Sequence, residues 1–93
     1  GIEVISINTE TEDEKLKVIG EIESVATVPL HSVLVHYEIL DDQQNVLLTN
    51  EVYIQPETLY PRETGNFEFI HVDAEIVGKR VSAKIKEITW YLE

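Results

Sequence analysis

Apolar and polar residues alternate with a period of two through most of the chain, the spacing of strands that bury one face. The clearest run sets Leu16, Val18, Gly20 and Ile22 against Lys15, Lys17, Glu21 and Glu23. Apolar inward and charged outward is the pattern of a half-buried antiparallel strand. Val33, Val35, Tyr37 and Ile39 form one face of a run predicted to be the central strand. Its other face, Leu34, His36, Glu38 and Leu40, is less polar than an open surface requires, so part of it is expected to be covered. Val46 to Ile54 returns antiparallel, and Phe67, Phe69 and His71 share one face of a run that Gly65 opens. The first run, Ile2 to Ile7, has the mixed pattern of an edge or sheet-switching strand. The last begins Val81, Ala83, Ile85 and resumes Ile88, Trp90, Leu92, a slip in phase that predicts a β-bulge near Lys86 and Glu87.

Turn chemistry separates these runs. The acidic stretch Glu10 to Glu14 is expected to turn the chain, and Pro29 interrupts after the small-residue loop Ser24 to Val28. Asp41, Asp42, Gln43, Gln44 and Asn45 read as a hairpin turn, because Asp and Asn bond their own backbone or accept positive φ. Gln55 to Arg62, with Pro56 and Pro61, is expected to be a crossing loop with Leu59 as an apolar plug. Asp73 to Arg80 reads as either a loop or one helical turn anchored by Ile76 and Val77. No dozen residues carry a 3.6-residue stripe. Six to seven short strands in 93 residues predict an all-β, immunoglobulin-like antiparallel β-sandwich as a single domain, 1–93. A small closed barrel fits less well, because the runs differ widely in length. The expected core includes Val18, Ile22, Val35, Tyr37, Ile39, Leu59, Phe67, Phe69, Ile85 and Trp90.

Composition narrows the function classes. The chain has no Cys, which removes disulfides, thiolate metal sites and cysteine nucleophiles. Seven Lys and Arg against 18 Asp and Glu give a net charge of −11, and such a surface repels a phosphate backbone, so nucleic acid is not an expected partner. No segment reaches the roughly 18 consecutive apolar residues of a membrane helix, so no membrane insertion by this segment is expected. The chain opens on Gly1 and holds no Met, which reads as a processed or excised piece whose signal or anchor lay upstream.

Candidate chemistry is sparse. Asp41, Asp42 and Asn45 crowd oxygen ligands into one turn as a Ca²⁺ site would, but without the Gly and distal bidentate Glu of an EF-hand loop, and a solvated turn is the favoured reading. The Glu10 to Glu14 run would add carboxylates if it shares that end of the sandwich. His31, His36 and His71 show no spacing that places two imidazoles together, the serines lack a nucleophile-elbow context, and no Gly-rich phosphate loop exists. No enzyme activity or cofactor is expected. Lys15 and Lys17 on one strand and Lys84 and Lys86 on the last would form a basic stripe for an acidic partner if those strands are neighbours. The blander reading, lysines guarding exposed strands against edge pairing, is favoured. Tyr53 and Tyr60 are candidate borders of an interaction patch.

Three segments in order resemble a known family. Gly20, Glu21, Ile22, Glu23, Ser24 through Pro29, Leu30 to Val33 is similar to the opening motif of the FxLYD domains of bacterial and archaeal envelope proteins. Tyr37, Glu38, Ile39, Leu40, Asp41 resembles the Phe-x-Leu-Tyr-Asp string that names them, and Leu59, Tyr60, Pro61, Arg62, Glu63, Thr64, Gly65, Asn66, Phe67 resembles their later L-x-P-G-E-t-x-x-F motif. Ser24 stands where Asn is usual, Leu40 where Tyr is usual and Arg62 where the turn Gly is usual. The resemblance implies a non-catalytic, extracytoplasmic binding or spacer module of a prokaryotic cell-envelope protein, meeting another protein or an envelope component. The alternative is a cation-dependent adhesion or carbohydrate-binding module using Asp41, Asp42 and the Glu10 to Glu14 loop.

Overall fold

The computed structural model describes residues 1 to 92, which form seven strands and no helix. They are β1 (Ile2–Glu12), β2 (Lys15–Ser24), β3 (Leu30–Leu40), β4 (Val46–Tyr53), β5 (Thr58–Leu59), β6 (Thr64–His71) and β7 (Ser82–Tyr91). One antiparallel sheet runs β1-β2-β6. In the other, β3 is central as its pattern predicts, pairing β7 along one edge. Along its opposite edge it pairs β4 from Leu34 to Leu40 and the two-residue β5 at Leu30 and His31. The two sheets face each other as an immunoglobulin-like β-sandwich measuring 41 × 24 × 18 Å.

The core lies between the sheets and follows the inward parity of each strand. Val18, Ile22, Val35, Tyr37, Ile39, Leu59 and Phe67 are buried as expected, joined by Leu16, Leu30, Val33, Ile54 and Ile76. Ile85 and Trp90 are only partly buried, because β7 lies at a sheet edge. Phe69 departs from expectation. It has the inward parity of Phe67, yet it is 38% exposed on β6, whose only ladder partner in that stretch among the described residues is β2. Gly20 is needed for close approach: the Phe67 ring from the next strand lies over its Cα, where a side chain would stand.

Boundaries differ from the sequence pattern where burial is weak. β1 runs on to Glu12, so the first half of the acidic stretch is strand, and the turn is confined to Asp13 and Glu14, both at positive φ. That two-residue connection has the dihedral sign of a type I′ hairpin, whose twist suits the flanking strands. β5 lies inside the expected crossing loop. The bulge on the last strand is present: His36 pairs Glu87 and Tyr37 pairs Ile85, leaving Lys86 without a partner. Asp73 to Gly78 forms a turn, with the N–H groups of Ile76 and Val77 donating to the Asp73 carbonyl, and Ile76 is 2% exposed.

Candidate functional site

The two ends of the sandwich differ in construction. At one end lie Gly1, the Ser24 to Leu30 loop, the Pro61 turn and the end of β7. Gly1 sits against the Trp90 ring, so the start of β1 and the end of β7 are neighbours. Ser24, the buried residue at the resemblance's Asn position, ties it together. Its N–H donates to Glu63 O at 2.9 Å, its carbonyl accepts from Arg62 N–H at 3.0 Å, and its hydroxyl accepts from Ala26 N–H at 3.3 Å. Pro61 and Arg62 occupy the middle of a turn closed by Glu63 N–H to Tyr60 O at 3.0 Å. Arg62 stands at φ 70°, the left-handed position where a turn of this kind favours Gly.

The opposite end carries the β1–β2 hairpin, the β3–β4 hairpin and the loop between β6 and β7. Asp41 does not present a free carboxylate there. One oxygen accepts the N–H groups of Gln43 and Asn45, both at 2.8 Å, and the other accepts the Asn45 side-chain amide at 3.2 Å. The Asn45 backbone bond foremost, then those from Gln43 and the Asn45 side chain, with Lys79 nearby, hold the Asp41 carboxyl below its usual range. Asp41 and Asp42 share a shallow depression with Lys79 and Arg80, so the carboxylates face cations from the β6–β7 loop. Lys15 and Glu10, Glu12 and Asp13 border a separate depression. Among the described residues, no three His, Asp or Glu side chains gather as a metal requires.

The basic stripe does not form. Lys15 and Lys17 are on β2 and Lys84 and Lys86 on β7, strands that belong to different sheets and turn their charged residues to opposite outer faces. Sheet membership, a long-range property, decides this. Three basic residues also lie near acid: Lys17 Nζ is 3.7 Å from Glu68, Lys84 is cross-strand from Glu38, and Arg62 is 3.8 Å from Glu23.

Two further groupings are on the outer faces. On the β1-β2-β6 sheet, register places Ser6, Glu21 and Asn66 in one row and Asn8, Ile19 and Glu68 in the next. These rows line an open groove of about 820 Å³ that Tyr53 and Gln55 border. On the other sheet, His36 is held by Glu51 at 3.2 Å and Thr89 at 3.3 Å. Tyr53 and Tyr60 are both exposed, but at different positions: Tyr53 ends β4 across from Leu34, and Tyr60 begins the Pro61 turn.

A buried polar chain inside the sandwich was not singled out by the sequence pattern. The Tyr37 hydroxyl lies 2.6 Å from His71 Nε2 and accepts from the Asn50 side-chain amide at 2.9 Å. When His71 is neutral and carries its proton on Nδ1, the Tyr37 hydroxyl donates to Nε2 while it accepts from Asn50. Burial pushes the His71 pKa down, against an opposing pull from the Asp73 carboxylate. Burial likewise pushes Tyr37 up, with the Asn50 bond opposing. The available signal was parity: His71 shares an inward face with Phe67, and a buried imidazole requires a partner. Among the described residues, every buried side-chain polar atom has one. Comparison of the chain with protein-family models, with curated proteins and with solved structures finds no match to any of them.

Proposed function

We propose that this domain is a non-catalytic binding module of a prokaryotic cell-envelope protein, attached at one end and presenting its opposite end. The observation that carries this is the neighbouring position of Gly1 and Trp90. A spacer extends a protein when the chain enters at one end and leaves at the other. Here Gly1 and the end of β7 lie at the same end of a sandwich 41 Å long, and the three connections at the far end point away from them. Envelope placement rests on the resemblance of the Gly20 to Phe67 segments to FxLYD domains. The Tyr37–His71–Asn50 chain supports a non-catalytic reading, since the Tyr37 hydroxyl is already engaged by both His71 Nε2 and the Asn50 side-chain amide.

The test is an amide-resolved NMR titration of the labelled domain with solubilised envelope fractions from bacteria and archaea. Shifts confined to Asp13 and Glu14, Asp41 to Asn45 and Asp73 to Arg80 support the reading. Shifts centred on the Ser24 and Pro61 end, or none, refute display from the far end. The full gene product tests placement separately, because a chain without an upstream signal or anchor removes the envelope.

A further inference from the structure

We propose that two copies of this chain associate through their β7 strands, paired antiparallel about a two-fold axis between Lys86 and Glu87, so that the β3-containing sheets join. This goes beyond the proposed binding role and does not depend on it.

β7 pairs β3 along one edge; among the described residues no ladder occupies the other, although the start of β1 packs beside the end of β7 at Gly1 and Trp90. A strand edge without a ladder partner is a template for another strand. The residues of β7 then define which strand fits. A two-fold contact must be self-complementary, with each residue meeting the one that its counterpart meets in return. In the stated register, Ile85 lies opposite Ile88 of the second copy, and Ala83 opposite Trp90. All four residues point inward, and all are only partly buried in the single copy. Small meets large in the Ala83 and Trp90 pair. On the outer face Lys84 lies opposite Thr89, and Lys86 opposite Glu87, so the central charges are complementary twice.

The bulge makes this register possible. In a regular strand, residues 85 and 88 point to opposite faces, and no two-fold pairing would set them together. The extra residue at Lys86 shifts the phase by one, so the inward set becomes 83, 85, 88 and 90, symmetric about the midpoint of Lys86 and Glu87. Opposing association is the net charge of −11 on each copy. Its long-range part is screened beyond about 8 Å at physiological ionic strength. A weak dimer, formed at high micromolar concentration, is expected.

Sedimentation velocity on the intact chain over a wide concentration range tests this. The wild-type protein should show a concentration-dependent monomer–dimer equilibrium. Lys86→Glu and Glu87→Lys each set like charges opposite one another twice, and each should weaken association by roughly ten-fold. The equimolar mixture of the two variants restores both opposite-charge pairs and should dimerise at least as well as the wild type. Both variants remain strongly acidic overall, so general attraction would not produce that recovery. Thermal melts of each variant establish that it folds, which both exposed positions favour. A wild-type monomer at all concentrations, single variants that associate like the wild type, or a mixture that fails to recover would each overturn the proposal. A strict monomer would identify Lys84, Lys86 and the bulge as guards of an open edge.

Discussion

Mild acid should destabilise the sandwich through His71 before most carboxylates titrate. With His71 neutral and protonated on Nδ1, the Tyr37 hydroxyl donates to Nε2 and accepts from Asn50. A proton on Nε2 would reverse that bond, leave the Tyr37 hydroxyl proton to find another acceptor, and place a positive charge in a buried site. Asp73 is the charged group that opposes this loss, while the other close neighbours are the Phe69 ring at 4.8 Å and the Tyr37 ring at 5.9 Å. The folded-state pKa therefore lies below the ordinary value of about 6.5. Above that value both states hold a neutral imidazole, and the full stability is present. As pH falls below it, the unfolded chain takes up the proton first, and stability declines by up to about 1.4 kcal/mol per pH unit until the folded-state value is passed. Urea unfolding followed by Trp90 fluorescence, from about pH 7.5 to 5, measures the slope. His71→Gln keeps an acceptor for Tyr37 and removes the titration, while His31 and His36 remain in both proteins. The wild-type curve should fall away from the variant curve on acidification. Parallel curves would refute the assignment.

Three other outcomes are expected. Gly20→Ala places a methyl group into the Phe67 ring and 2.8 Å from the Ser6 carbonyl oxygen, and should cost about 1–3 kcal/mol in a urea titration. Arg62→Gly relieves a left-handed conformation and should raise stability by roughly 1 kcal/mol, since the exposed 3.8 Å contact with Glu23 contributes little; a lower melting temperature would contradict this. Millimolar Ca²⁺ should leave the melting temperature unchanged, because Asp41 is committed to its own turn beside Lys79 and Arg80, and a rise would revive the cation-dependent alternative.

What could be read from the sequence was whatever burial of one face imposes on local spacing. β2, β3 and β7 alternate because one side is covered, and even the bulge at Lys86 shows as a slip between Ile85 and Ile88. The end of β1 was hidden because an edge strand places Glu10 and Glu12 outward without an apolar partner series. β5 is too short to have a period. Phe69 was misread because parity names the face, and whether that face is covered depends on the neighbouring strands. The Lys15, Lys17, Lys84 and Lys86 stripe failed for a related reason: nothing local says which sheet a strand joins. His71 and Tyr37 could each be placed inward, but their contact spans 34 residues and required the fold.

The proximity of Gly1 to Trp90 also sets how the domain responds to tension. Force applied at Gly1 and at the end of β7 would pull β1 and β7 apart from the same end, loading their ladders one hydrogen bond at a time, in an unzipping geometry. Strands loaded lengthwise share force across many bonds at once; these would not. A domain built this way yields early under mechanical load.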